Sequence, residues 1–469
     1  MATTYGVYIH IPFCKSKCDY CDFYSLAGRE EEMDHYQKAL IAQLRSFAPR
    51  LKGRVADTIY FGGGTPSYYG EKRLRELLVL IQRVFTVSRQ AEITVECNPD
   101  SVDWRSIARL RRAGVNRISL GAQTADPQQL RCLHRIHSTR QVVQAVADIR
   151  RAKITNLSLD LIYGLPDQDM ASWLDTLNKA IALAPEHLSC YGLKVEEGTP
   201  LARQAELGLE LPDGDDQADF YLAAVDRLRQ AGYHQYEISN FSKPGKESRH
   251  NLKYWMGREY VGFGPGAHSY FDGQRYAYPR DLAGYLAAGG LVAPVDVQPI
   301  PPTERAREYL LLRMRTRWGI EEWEYRRNFG LNFEPIARKL EFFERHQWIV
   351  QTDHRWHFTP RATCSPTPSS WTCWTPSPIP SRSRSIGRPC WGSRTIPKSH
   401  NISFFKRPEL TAQLWSFLMR SHYVVRSPCN QESGKSSLPS VTVFSHPSMP
   451  LTDSVIRRTT APVLSLSQT

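Results

Sequence analysis

The chain has 469 residues, 10 of them cysteine, and 60 Lys and Arg against 47 Asp and Glu, for a formal net charge of +13. That charge is concentrated in residues 361–469, with 13 Lys and Arg against 3 Asp and Glu, so the first 360 residues carry only +3 and basicity points to no nucleic-acid partner. The sparse cysteines exclude a disulfide scaffold and fit a reducing cytoplasm, and the absence of a long apolar run or a leader-like start speaks against a spanning helix and secretion.

The first strand is predicted at Val7-Tyr8-Ile9-His10-Ile11, and further β-branched runs begin near Asp57, Glu92, Asn116, Asn156 and His187. Between them apolar residues recur at helical spacing, as in Leu74, Leu77, Leu78 and Ile81, or Val142, Val143, Val146 and Ile149. Ser138 stands where it can cap the second of these helices, and Gly114 where it can close the helix before it. Six β-then-α units require parallel strands joined by right-handed crossovers. The expected fold class is therefore α/β, a partial (β/α)6 barrel over residues 1–235, with an open doubly wound sheet as the competing arrangement. A Gly- and aromatic-rich connecting region is expected over 236–300. A small α+β domain follows over 301–360, with helices over 306–315 and 335–346 and a hairpin near 348–358.

From Arg361 the composition breaks, with 22 Ser and 13 Pro in the last 109 residues, a mixture that buries too little apolar surface to offset chain entropy. Inserting one base after the Arg361 codon lets the following run be read as R-G-Y-L-L-S-N-A-I-I-L-D-V-L, an amphipathic helix. Residues 361–469 are therefore read as an out-of-frame tail in preference to a native disordered one.

Cys14, Cys18 and Cys21 form C-x3-C-x2-C in the loop after the first strand. Three thiolates so close can hold three corners of a cubane iron–sulfur cluster and leave the fourth iron open to a ligand. Zinc is the competing reading, with His10 as a fourth ligand. Strand ends carry Gly62-Gly63-Gly64-Thr65-Pro66, Glu96-Cys97-Asn98-Pro99, Gly121-Ala122-Gln123 and Tyr163-Gly164-Leu165-Pro166. In parallel α/β folds ligands sit at the carboxyl ends of strands, so these segments are expected to share one site.

The cysteine loop resembles that of the radical S-adenosylmethionine (radical SAM) superfamily. Four motifs extend the likeness: Tyr8-Ile9-His10-Ile11-Pro12-Phe13-Cys14, Gly62-Gly63-Gly64-Thr65-Pro66, Asp160-Leu161-Ile162-Tyr163-Gly164-Leu165-Pro166 and Gly262-Phe263-Gly264-Pro265-Gly266-Ala267-His268. Through them residues 4–361 resemble the oxygen-independent coproporphyrinogen oxidase group, most closely its heme-chaperone branch. The resemblance implies a [4Fe-4S] cluster on Cys14, Cys18 and Cys21, with S-adenosylmethionine on the open iron. Gly63, Gly64 and Thr65 would then lie against the methionine amino group. Glu96 would accept from that group or the ribose, Gln123 and Arg135 would hold the cofactor, Asp160 at the end of the fifth strand would take ribose hydroxyls, and Tyr8 and Tyr20 would line the site.

The oxidase branch continues its loop to a fourth cysteine two residues on, where this chain has Phe23. The chaperone branch instead shares the HNxxYW motif, here His250-Asn251-Leu252-Lys253-Tyr254-Trp255, with His250 as the implied axial ligand of heme and His268 as a rival. Heme, recipient hemoproteins and a flavodoxin- or ferredoxin-type electron donor are the implied partners, and the resemblance allows peripheral membrane association. A catalytically silent binding module is the third reading. One departure is His134, which precedes Arg135 where the pattern expects Gly.

Overall fold

In the computed structural model, residues 3–360 and 362 are described. The remainder of the expected out-of-frame tail lies outside the described residues. Six parallel strands follow in chain order: β1 (Thr4–Ile11), β2 (Val55–Gly63), β3 (Val87–Cys97), β4 (Arg117–Gln123), β5 (Leu157–Tyr163) and β6 (His187–Gly192). Each is followed by a helix: α1 (Met33–Phe47), α2 (Glu71–Val84), α3 (Trp104–Ala113), α4 (Thr139–Arg151), α5 (Met170–Ala182) and α6 (Gly214–Gln230). Strands β1 and β4 are buried almost throughout, as expected of parallel strands covered on both faces. The α/β reading with a partial (β/α)6 barrel therefore holds.

Local signals place the helices. The Asp103 carboxylate accepts from the backbone N–H of Arg105 and Ser106 in a capping box that starts α3, and Gly114 ends that helix in the left-handed region at φ 119°. Ser138 makes the same reciprocal cap with Gln141 at the start of α4. The apolar stripe of α2, Leu74, Leu77, Leu78 and Ile81, is fully buried against the sheet.

Residues 236–300 do not merely connect. β7 (His234–Glu237) and β8 (Asn240–Ser242) extend the sheet beyond β6, while β9 (Tyr260–Phe263) pairs in parallel with β1 and leads into the antiparallel strands β10 (His268–Phe271), β11 (Gln274–Ala277) and β12 (Val295–Pro299). The result is one twelve-stranded sheet in the order β12-β11-β10-β9-β1-β2-β3-β4-β5-β6-β8-β7.

Between β8 and β9 the short helix α7 (Arg249–Trp255) packs into the barrel beside the early residues of β1, β2 and β3. Its first N–H groups, those of Arg249 and His250, donate to the Glu92 carboxylate at 3.1 and 3.0 Å, and Lys253 pairs with Asp57 at 2.6 Å. Gly6 makes room for it: a Cβ there would stand 2.9 Å from Lys253 Cδ and 3.1 Å from His250 Cε1.

The small domain contains α8 (Pro302–Met314), α9 (Glu322–Phe329), α10 (Glu334–Arg345) and the hairpin β13 (Ile349–Thr352) and β14 (Arg355–Phe358) around its own core, including Leu310, Tyr325, Phe333, Leu340 and Trp356. Glu324 accepts from both Arg313 and Arg355 and ties α8 and α9 to the hairpin. Among the described residues no helix is long and apolar enough to cross a membrane.

Candidate cofactor site

The carboxyl ends of β1 to β6 enclose a cavity of about 230 Å³. Its lining includes Cys14, Cys18, Tyr20, Cys21, Gly63, Gly64, Thr65, Glu96, Gln123, Arg135 and Asp160. Of the ligand-binding residues expected from the sequence, Tyr8, His250 and its rival His268 are not brought to this wall.

The cysteine loop follows β1, which ends at Ile11, and Cys14 is buried while Cys18 and Cys21 are half-buried. Donors already face two of the sulfurs: Thr65 Oγ1 lies 3.4 Å from Cys14 Sγ, and an Arg135 guanidinium nitrogen lies 3.4 Å from Cys18 Sγ. Burial raises the pKa of the Cys14 thiol and lifts that of Cys21 to about 12, so metal must displace protons to bind. Among the described residues no three His, Cys, Asp or Glu side chains gather as a single metal ion needs. His10, the fourth ligand of the zinc reading, is committed elsewhere, Nδ1 to the Tyr8 hydroxyl at 3.1 Å and Nε2 to the Tyr24 carbonyl at 2.8 Å. Three separate sulfurs backed by a hydroxyl and a cation fit a cubane, in which each corner iron takes one thiolate.

The glycine turn after β2 is shaped first by the protein's own packing. Gly63 has φ 111° and a Cβ on it would meet the His10 ring at 2.6 Å, while a Cβ on Gly64 would meet the Phe13 carbonyl oxygen at 2.7 Å. The backbone N–H of Gly64 and Thr65 donates to the carbonyls of Ile11 and Phe13, locking the turn to the start of the cysteine loop.

Glu96 accepts from the Tyr60 hydroxyl at 2.7 Å and from the Gly63 N–H at 3.2 Å. Burial, with a smaller push from Asp160, raises its pKa to about 7. Asp160 sits in the middle of β5, not at its end, because the strand continues to Tyr163. Ser119, Ser158 and Ser189 all donate to its carboxylate, and these hydroxyls together with Arg117 oppose the upward push of burial on its pKa. Arg135 spans the floor, donating to Asn98 Oδ1 and the Gly121 carbonyl at 3.0 Å each. Gln123 adopts φ 64° at the end of β4. His134 adopts φ 51°, the left-handed turn for which Gly is the unstrained choice, and its Nδ1 lies 2.7 Å from Asp19 in the cysteine loop.

Tyr8 lies beneath this wall, stacked on Tyr60 and His250. His250 is enclosed within the barrel, with Nδ1 2.8 Å from Thr58 Oγ1 and Nε2 2.9 Å from the Tyr254 hydroxyl. Burial, helped by Lys253 and Arg117, drives its pKa well down and keeps it neutral. His268 is buried as well. Neither histidine is presented to a ligand in this conformation.

Sequence reading missed a further part of the cavity wall, formed by Tyr191 near the end of β6 and by Lys194 and Glu196 after it, where Lys194 pairs with Glu196 at 3.2 Å. No motif marks that turn. Asn98 was legible, because it stands in the polar strand end Glu96-Cys97-Asn98-Pro99. Phe23 also lines the cavity, at the position where a fourth cysteine would stand.

Residues 8–180 match the model of the radical SAM superfamily, and residues 300–363 that of the HemN C-terminal domain. The heme chaperone HemW of Escherichia coli K12 is 34% identical, over 76% of this chain and 94% of that protein. HemW of Bacillus subtilis is 34% identical over 71% and 88%, and HemW of Synechocystis is 36% identical over 67% and 79%. Among solved structures, coproporphyrinogen III oxidase HemN from Escherichia coli, described as a radical SAM enzyme, superimposes with a TM-score of 0.68 at 21% identity, over 77% of this chain and 89% of that one. The shared fold, the three-cysteine loop and relatives matched over most of their length agree, and the chain belongs to the HemW heme-chaperone family of radical SAM proteins.

Proposed function

We propose that the protein is a heme chaperone that binds a [4Fe-4S] cluster on Cys14, Cys18 and Cys21, takes S-adenosylmethionine beside it, and delivers heme to hemoproteins in the cytoplasm. The observation that carries this reading is the cavity wall itself: three cysteine sulfurs meet the glycine turn, Glu96, Asp160 and Arg135, and Phe23 stands in the place of a fourth cysteine. When bound, the cluster and S-adenosylmethionine supply one-electron chemistry, fed by a flavodoxin- or ferredoxin-type donor. The chain's own residues orient and enclose. The Arg135 guanidinium, whose Nε has no partner among the described residues, would hold the methionine carboxylate, Glu96 would accept from the amino group once ionised, Asp160 would accept from ribose hydroxyls, and Tyr20, Gln123 and Thr65 would exclude water from the sulfonium.

Heme ligation through His250 requires α7 to leave the barrel, because both ring nitrogens are committed inside it. Anaerobic reconstitution with iron and sulfide, heme titration, and assay of coproporphyrinogen for vinyl-group formation test the reading. Stoichiometric heme uptake without decarboxylation is expected. Vinyl formation selects the oxidase alternative, and an absence of heme uptake removes the chaperone.

A further inference from the structure

The barrel interior between the cavity floor and α7 is polar, and its hydrogen bonds run in one direction. The backbone N–H of Ser248, the cap of α7, donates to Tyr236 Oη at 3.3 Å, and Tyr236 Oη lies 2.8 Å from His187 Nε2. The Ser158 hydroxyl spends its one proton on Asp160 and therefore accepts from His187 Nδ1, 2.8 Å away, an assigned tautomer that leaves Nε2 to accept from Tyr236. Ser158 in turn donates to Asp160 Oδ1 at 3.1 Å. Ser158, His187, Tyr236 and Ser248 are fully buried, out of reach of bulk solvent. Burial also keeps His187 neutral, as this tautomer requires. A second contact runs in parallel: the Tyr60 hydroxyl donates to Glu96 while its ring stacks on His250 at a centroid distance of 5.1 Å. Glu96 and Asp160 therefore both reach α7 through buried side chains.

Donors aligned head to tail polarise one another, and negative charge at the terminal acceptor strengthens every bond behind it. We propose that bare Asp160 grips α7 through Ser158, His187 and Tyr236, and that a ligand donating hydroxyls to Asp160 loosens α7 and opens His250. Sharing the carboxylate with new donors withdraws charge from the chain, so Tyr236 becomes a weaker acceptor for the Ser248 N–H. By linkage, any ligand that holds His250 outside the barrel tightens the cavity for its own ligand by the same factor. The inference rests on the cofactor reading above, and one experiment separates the two.

Cluster-loaded protein is prepared anaerobically and S-adenosylmethionine is added, with occupancy read from the electron paramagnetic resonance of the reduced cluster and α7 read by amide hydrogen exchange over residues 249–255. Saturation is expected to speed α7 exchange by about fivefold or more, the lower end of ordinary allosteric couplings. Tyr236→Phe, which cuts the chain without touching the cavity wall, is expected to exchange fast from the start and to lose the response while the resonance still changes. Ser158→Ala is a second cut, at the other end. Occupancy with unchanged or slower α7 exchange in the wild type overturns the coupling, as does a full response retained in both variants. A resonance that ignores S-adenosylmethionine overturns the cofactor reading and the coupling with it.

Discussion

Replacing Gly63 by alanine tests how the glycine turn is built. A side chain at φ 111° is strained wherever it stands, by roughly 1–3 kcal/mol. The new Cβ would also meet the His10 ring at 2.6 Å, and His10 cannot retreat because it is buried and bonded to Tyr8 and Tyr24. Overpacking of this kind costs about 1–3 kcal/mol, so Gly63→Ala is expected to destabilise the metal-free protein by about 4 kcal/mol. Gly53→Ala is the control: its φ is 81°, but no atom lies within 4 Å of the new Cβ, so only the backbone penalty applies, about 1–2 kcal/mol. Urea unfolding of both variants gives the difference, provided the slope is unchanged. Adding His10→Ala to Gly63→Ala is expected to recover part of the contact penalty in a double-mutant cycle. If Gly63→Ala costs no more than Gly53→Ala, or if removing His10 brings no relief, the turn is not held by this contact.

Glu96, with a pKa raised to about 7 from 4.5, favours its protonated form in the fold, so its contribution to stability is full below pH 4.5 and is lost as pH rises to about 7. The loss is at most about 3 kcal/mol, and subtracting a Glu96→Gln stability profile from the wild-type one isolates it from the buried histidines; a flat difference refutes it. The same shift makes affinity for a ligand amino group rise with pH up to about 7 and then level off, which calorimetric titration across pH 5.5–8.5 checks. His134→Gly relieves a left-handed turn but loses the bond to Asp19, leaving Gln204 at 2.8 Å as the side-chain donor still holding that carboxylate. Stability should change by less than about 1 kcal/mol while iron is lost faster to a chelator, and unchanged iron retention counts against a role for the His134–Asp19 bond in holding the cysteine loop. Asp103→Ala removes the capping box of α3 and should cost about 1 kcal/mol in urea unfolding.

The six strands were legible because parallel strands covered on both faces need continuous apolar runs, and the helices because one stripe of each is buried. Expected boundaries tracked burial, whereas the observed ones follow pairing: β3 starts at Val87, which pairs with Ala56 five residues before the expected run, and Arg89 and Gln90 extend the strand while facing solvent. The sheet strands within residues 236–300 are three to five residues long and pair across distant chain, β9 with β1, so no local pattern announces them. The cysteine loop was readable from spacing alone, because three thiols in eight residues have few other uses. The enclosure of His250 was not, because one of its two partners, Thr58, comes from a strand almost two hundred residues earlier. Asp160 looked like a strand end because the polar residue interrupts an apolar run, yet the strand carries it inward to three serines of the barrel interior.

Strand β1 lies between β2 and β9, hydrogen-bonded to both. During synthesis its second neighbour emerges about two hundred and fifty residues later, after the entire barrel. Until then one edge of a strand buried at every position but its first stays open, an invitation to pairing with other nascent chains. A fragment stopping at residue 235 would keep that raw edge permanently, and such a fragment should be recovered as aggregate where the chain through residue 300 stays dispersed.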